Sequence, residues 1–252
     1  MAVIWQKKIG GSLYQIRSAG KTRRLYTNGV CHSEFNPAKL VTGSIWDLLI
    51  LLAFFYQPES VRRILMLGVG GGASILQLHH LLDVENICGV ELDPVHLELA
   101  NRFFNIETIP VDLHNAEARE WLQHYKGSSF DLIIDDLFTN KGKEPVRALE
   151  ADTDWFTLLL TNLSETGRLV INFASTEEFR KSAYFQDLTI ARQFSAAFRL
   201  SNVQLDNIVG AFVRLDTDAA RLRANVMSNP VLAQALHSKK LRYNIRNVSI
   251  VS

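Results

Sequence analysis

The stretch ILMLGVGGGAS, residues 64–74, is an apolar run that breaks into glycines at Gly68, Gly70, Gly71 and Gly72. It reads as a buried strand feeding a tight turn, where missing side chains let the backbone approach a ligand. About twenty residues further on, GVELDP puts Glu91 at the end of a second apolar run, the place from which a carboxylate holds ribose hydroxyls. Asn115 ends a third run and suits an adenine edge, with the small Ala116 leaving room for the ring. The fourth run, FDLIIDDLF, carries Asp135 and Asp136. Neighbouring strand residues point to opposite faces, so only one of these two carboxylates can face a ligand.

A glycine turn with a spaced acid serves both NAD and S-adenosylmethionine. Asn115 and the acidic end of the fourth run favour the second, because added negative charge repels a pyrophosphate and attracts a sulfonium or an ammonium. A carboxylate there can hold an amine, aim its nitrogen and take its proton. Asp93, just before Pro94, reads as a helix N-cap, and Asp131 as structural or solvated.

The elements that must position these residues follow from periodicity and turn residues. Residues 1 to about 35 carry β-formers in short runs separated by Gly10-Gly11, Ala19-Gly20 and Asn28-Gly29, which predicts a small antiparallel β unit. A helix follows over roughly 43–56, ended with the help of Pro58. From Val61 on, strands alternate with helices expected near 73–82, 94–103, 116–125 and 153–164. Alternation with apolar strands implies an α/β, Rossmann-like, mostly parallel sheet covered on both faces. A helix near 177–197 then precedes FRLSNVQL and NIVGAFVRL, an expected terminal antiparallel pair, and a helical stretch from Asp218 runs into a polar, irregular tail. The expected division is a β unit over 1–40 and a nucleoside-binding domain over 41–252.

Composition narrows the function classes. Of the 252 residues, 47% are hydrophobic and 21% charged, ordinary values for a globular protein. A net charge of +1 gives no field that draws nucleic acid or an anionic membrane. SIWDLLILLAFFY is interrupted by Asp47 and too short to span a bilayer, and the N-terminus has its charges after its apolar residues, so a cytoplasmic protein is expected. Cys31 and Cys88 fit no disulfide framework or metal spacing, and His79, His80 and His114 have no paired donors, so no metal is expected. The basic HSKKLRYNIR reads as a solvated face or tail.

Three stretches resemble the spermidine synthase family, the polyamine aminopropyltransferases. SLYQIRSAGKTRRLYTNGV is similar to the family's N-terminal β unit, with Tyr14-Gln15 matching its Tyr-Gln pair. GVELDP resembles its ribose-binding strand end, and FDLIIDDLF the strand that delivers its catalytic aspartate. The resemblance spans roughly residues 10 to 175 and implies a β unit capping a Rossmann-like sheet of the S-adenosylmethionine-dependent methyltransferase type, in a dimer or tetramer. It further implies that Gln15 and Glu91 contact the nucleoside of S-adenosylmethionine or its decarboxylated form, Asn115 the adenine beside Ala116, and Asp136 the reacting amine, while Tyr14 reads equally as core packing or as lining the acceptor site. Gly68, Gly70 and Gly72 would form the cofactor loop.

There are departures. Gly71 stands where the family loop GGGDG has its aspartate, Thr139 and Asn140 stand where a second aspartate and a proline are usual, and Pro37 lies near an expected tyrosine. On these grounds the sequence favours methyl transfer to a small amine, with aminopropyl transfer to a diamine second and a non-catalytic nucleoside-binding or scaffold protein third.

Overall fold

A computed structural model describes residues 1–141 and 144–250 of the chain. Four strands, β1 (Ala2–Ile9), β2 (Ser12–Ala19), β3 (Thr22–Thr27) and β4 (Val30–Phe35), form one antiparallel sheet in sequence order. The Asn28-Gly29 turn joins β3 to β4, as its residue types predict. Tyr14, Ile16, Leu25 and Phe35 are buried and join the core of the larger sheet.

The short helix α1 (Ile45–Leu51) follows, extended by a 3₁₀ turn over Leu52–Phe55. Trp46 to Phe55 are all buried, so the apolar run is a core helix. Asp47, the charge that interrupts the run, accepts from the backbone of Thr42, Gly43 and Ser44 and from the Gln77 amide at 2.7 Å. Its burial raises its pKa, against these hydrogen bonds.

The large sheet alternates with helices: β5 (Arg63–Leu67), α2 (Ala73–Leu81), β6 (Asn86–Glu91), α3 (Pro94–Phe104), β7 (Val111–Asn115), α4 (Ala118–His124) and β8 (Phe130–Asp135). A hairpin of β9 (Phe138–Lys141) and β10 (Glu144–Arg147) interrupts the alternation before α5 (Thr153–Asn162) and β11 (Leu163–Phe173). Three short helices, α6 (Thr176–Lys181), α7 (Ala183–Gln186) and α8 (Leu188–Ala191), lead to β12 (Ala196–Ser201) and β13 (Ile208–Val213). The chain then runs through α9 (Ala219–Ser228), α10 (Pro230–His237) and β14 (Asn244–Val248).

The strand order is β14-β12-β13-β11-β8-β5-β6-β7. Strands from β11 to β7 are parallel, while β13 runs against both β11 and β12. Alternating residues feed two cores: Ile64 and Met66 face the β1–β4 sheet, α1, α2 and α3, and Leu65 and Leu67 face α4 and α5. The order reverses between β5 and β8, and a crevice opens at the carboxyl ends of strands at such a point.

Two expectations need correction. The expected helix over 177–197 is three pieces, because Ser182 and Asp187 take extended backbone and Asp187 caps a new start at Thr189. The polar tail is not irregular, since β14 adds to β12 as an antiparallel edge strand. Beyond the expected elements, the chain after Asp136 enters the β9–β10 hairpin, which the sequence pattern did not announce.

Candidate active site

A cavity of about 800 Å³ lies over the carboxyl ends of β5, β6 and β8 and is closed by the β1–β4 sheet. Its floor is set by close backbone approach. Gly68 holds φ +85°, and a Cβ there would run into the Asp136 carbonyl, so β5 and β8 can close only on a glycine. Gly70, at φ +55°, lets the His32 carbonyl of β4 approach the loop in the same way. The Ser33 hydroxyl accepts from Ala73 N at 3.1 Å and fastens the small sheet to the start of α2.

Glu91 lies on the cavity wall, nearly buried. One carboxylate oxygen accepts from Val69 N at 3.0 Å and Gly70 N at 2.8 Å, and the other from Asp93 N at 2.9 Å. Burial works to raise its pKa, but His96 and the backbone amides outweigh it, so the group is held ionised. A carboxylate has about four acceptor sites. Three are used on the protein, which leaves Glu91 room for one ligand hydroxyl rather than two.

Of the two adjacent aspartates, Asp136 is the one that faces the cavity, in keeping with strand alternation. Asn172, at the end of β11, donates to its Oδ1 at 2.7 Å, and Asn207 donates to the Asn172 oxygen at 3.1 Å. Burial first, then the neighbouring Asp135 charge, pushes the Asp136 carboxyl up to about 7, against the Asn172 and Trp46 hydrogen bonds. Asp135 points the other way. It is fully buried, paired with Arg147 at 2.8 Å and hydrogen-bonded by the Trp155 indole at 2.7 Å.

The remaining expected site residues divide. Tyr14 lines the cavity and donates to Asp93 Oδ2 at 2.7 Å; burial and that partner raise its hydroxyl to about 12. Ala116 also lines the cavity. Gln15, one residue on from Tyr14, lies on the opposite face, donates to Gln6 at 2.9 Å and accepts from Arg17 at 2.6 Å, so it does not reach the cavity. Asn115 is spent as a clamp, donating to the carbonyls of Glu91 and Leu92 at 2.9 Å, and is not on the cavity wall. Gly72 begins α2 and packs on Ile106 outside the cavity. Asp93 caps α3 through Val95 N at 2.9 Å, as expected.

Sequence reading missed His32, His96, Trp46, Asn172 and Asn207, which the fold gathers on the same wall. The His96 ring bonds Thr27 at 2.8 Å and lies 3.7 Å from both Glu91 and Asp93. His32, 4.9 Å from His96 between centroids, is lowered to about 4 by burial and by His96 and stands neutral. Only Asn172 left a usable signal, as a polar residue ending the apolar run GRLVINF beside FDLIIDD. Among the described residues, this wall carries the four carboxylates Glu91, Asp93, Glu117 and Asp136, and no lysine or arginine. Such a wall favours a cationic ligand over a pyrophosphate.

No family model matches the chain. By sequence it is 32% identical over 133 residues to a polyamine aminopropyltransferase of Vibrio vulnificus and 28% identical over 171 residues to a probable polyamine aminopropyl transferase of Bifidobacterium longum. These matches cover 52% and 65% of this chain but 43% and 36% of the relatives, so the chain spans less than half the length of the curated relatives it matches. By fold it is similar to a probable spermidine synthase from Corynebacterium glutamicum, with TM-score 0.73 and 14% identity over 98% of this chain and 91% of that one. A spermidine synthase in complex with the transition-state analogue AdoDATO gives TM-score 0.66 at 14% identity, covering 88% of this chain and 78% of that one. A human methyltransferase-like protein 13 in complex with SAH gives 0.59 at 17%, covering 76% and 90%.

The expected preference for methyl over aminopropyl transfer is overturned by these relatives, and its ground at the glycine loop also fails. One of its grounds was the missing aspartate at Gly71, but a Cβ at Gly71 would sit 2.8 Å from Phe104 and Ser33, pointing into packed core. In this loop, position 71 does not face the cavity, so its side chain is silent about the donor. The chain is similar in sequence to polyamine aminopropyltransferases, and its Rossmann-like fold is the one found in spermidine synthases and in an SAH-bound methyltransferase-like protein.

Proposed function

We propose that this chain binds decarboxylated S-adenosylmethionine and transfers its aminopropyl group to a small amine. The observation that carries the reading is Asp136, which faces an acidic cavity free of lysine and arginine among its described residues, with its carboxyl held near neutrality. When bound, the donor supplies an electrophilic carbon next to a sulfonium: the amine nitrogen bonds to that carbon, the carbon–sulfur bond breaks, and methylthioadenosine leaves with the electron pair.

The residues divide that work. Glu91, fixed by the Val69 and Gly70 amides, holds the nucleoside end, and Ala116 leaves space for the base. Ionised Asp136 holds the incoming ammonium and takes one of its protons, which frees the nitrogen lone pair to attack. A carboxyl near pH 7 suits that exchange, because it neither gives up the proton early nor refuses it. Asn172, itself fixed by Asn207, sets the angle of the carboxylate. Trp46, Leu137 and Phe138 line this end and exclude water.

The test is to incubate the purified chain with either donor form and a panel of mono- and diamines, reading methylthioadenosine and amine mass. Methylthioadenosine released with an amine gaining one aminopropyl group is the expected result. Methylated amine from intact S-adenosylmethionine, or no product with any amine, overturns the reading.

A further inference from the structure

A second cavity, about 750 Å³, opens beside the edge of the large sheet between β7 and α4. The sequence offers no metal-ligand spacing, yet strand register builds a donor set here. Cys88 of β6 pairs directly with Asp112 of β7, and His114 lies two residues on, so all three side chains project from one face of the sheet. One ligand atom from each lies within 4.8 Å of the others. The His114 Nε2 and Asp112 Oδ2 are 3.1 Å apart.

We propose that Cys88, Asp112 and His114 form a divalent transition-metal site of the zinc class, with a fourth position open to the second cavity. A mixed sulfur, nitrogen and oxygen set is zinc chemistry rather than calcium or magnesium chemistry. Tetrahedral zinc takes nitrogen and oxygen at about 2.0–2.2 Å and sulfur at about 2.3 Å. Two such ligands stand a little over 3 Å apart, close to the present His114–Asp112 separation. The remaining gap to the buried Cys88 sulfur, about an ångström, closes by rotation of the more exposed Asp112 and His114 side chains on the edge strand β7.

The surroundings fit the set. The His114 ring packs on Trp121 at 5.1 Å, which limits its rotation, and Trp121 stacks on Tyr125 at 4.8 Å. The Tyr125 hydroxyl accepts from Arg63 at 3.0 Å, and Arg63 borders the same cavity and favours a thiolate at Cys88. Without a metal, burial holds the Cys88 thiol up at about 12, so it is no free nucleophile; coordination replaces its proton. Three protein ligands with one open position are the pattern of zinc that binds water or a ligand. Ala116 lines both cavities, so a metal held by His114 also fixes the strand end that borders the nucleoside cavity.

The test uses the full chain, stripped of metal and titrated with zinc and with cobalt. Calorimetry should give one zinc per chain, and cobalt should give a thiolate-to-metal charge-transfer band and quench Trp121 fluorescence. Cys88→Ser should abolish the cobalt band, and His114→Ala should weaken zinc by at least tenfold, while Cys31→Ser changes neither. Circular dichroism and melting of the apo variants show whether each is folded; His114 is partly exposed on an edge strand, so His114→Ala decides the matter if Cys88→Ser does not fold. Absence of zinc binding, a cobalt complex without the thiolate band, or unchanged zinc affinity in folded His114→Ala overturns the proposal. Aminopropyl transfer is not read in this test, so its outcome is independent of the proposed function.

Discussion

Two adjacent aspartates do opposite work because a strand alternates. Asp136 faces the cavity and Asp135 the core, and the carboxylates lie in different company: Asn172 for the first, Arg147 and Trp155 for the second. Asp136→Asn keeps the shape and removes the base, so turnover should fall by about 10²–10⁴-fold, with nucleoside affinity little changed. In the parent chain kcat/KM should rise with pH through about 7, as the carboxyl empties, and the variant should lose that limb. The same shift carries a sign for stability. Between the unfolded carboxyl value of about 3.9 and the folded value of about 7, the folded chain keeps a proton that the unfolded chain has released. Stability from this group therefore falls as pH rises through that window, and Asp136→Asn should melt at or above the parent at pH 8. Asp135→Asn should leave turnover nearly intact but strand the Arg147 charge in the core, a loss of about 3–5 kcal/mol in chemical denaturation. Exchanged outcomes for the two variants would place the cavity on the other face of β8. This pair was legible in the sequence because alternation needs no tertiary information. Gln15 was not: the Tyr14-Gln15 match named the right strand, but only the burial of Tyr14 shows which of the two points inward.

The elements that could be read in advance are those whose pattern is set by burial on both faces. Strands β5, β6 and β8 are almost entirely buried, and their apolar runs announce them. Edge elements are harder. In β14 Ile245 alone is buried, so the strand looks like a polar tail until β12 supplies its partner. The β9–β10 hairpin is similar, since its place is fixed by Arg147 reaching back to Asp135 and the Asn172 carbonyl, contacts between distant parts of the chain. β1 is an edge of the small sheet; its first half, residues 2–5, is apolar, while Gln6, Lys7 and Lys8 follow. Val3 is 49% exposed and Leu13, on the neighbouring strand, 39%. We propose that this face pairs two copies of the chain. Val3→Lys with Leu13→Glu should shift sedimentation from a dimer to a monomer while leaving the melting profile cooperative. A parent chain that is already monomeric at micromolar concentration would remove the proposal.

At the scale of the whole molecule, the cavity belongs to neither sheet alone. Tyr14, Thr27 and His32 come from the small sheet, Glu91 and Asp136 from the ends of the large one, and His96 from α3 joins them through Thr27 and Glu91. Gly70 under the His32 carbonyl, and Ser33 on Ala73, make the glycine loop part of the joint between the sheets. A nucleoside held in the cavity touches both sheets, so binding one should favour the closed joint. A ligand that binds only the closed form slows every opening that must expel it by a factor of about 1 + [L]/Kd, roughly 100-fold at 100 Kd. Hydrogen exchange on the full chain with methylthioadenosine should show this protection in two places at once: the loop amides around Val69 and Gly70, and residues 28–33 at the β3–β4 turn. NAD at the same concentration should protect neither, because its pyrophosphate would face four carboxylates among the described wall residues. Protection confined to the large sheet would mean that the small sheet covers the cavity without closing on its ligand. Tyr14→Phe gives the finer reading, since it removes only the bond to Asp93 that ties β2 to the start of α3. Its protection should fall at the β3–β4 turn and persist at the glycine loop, which is held independently by Glu91.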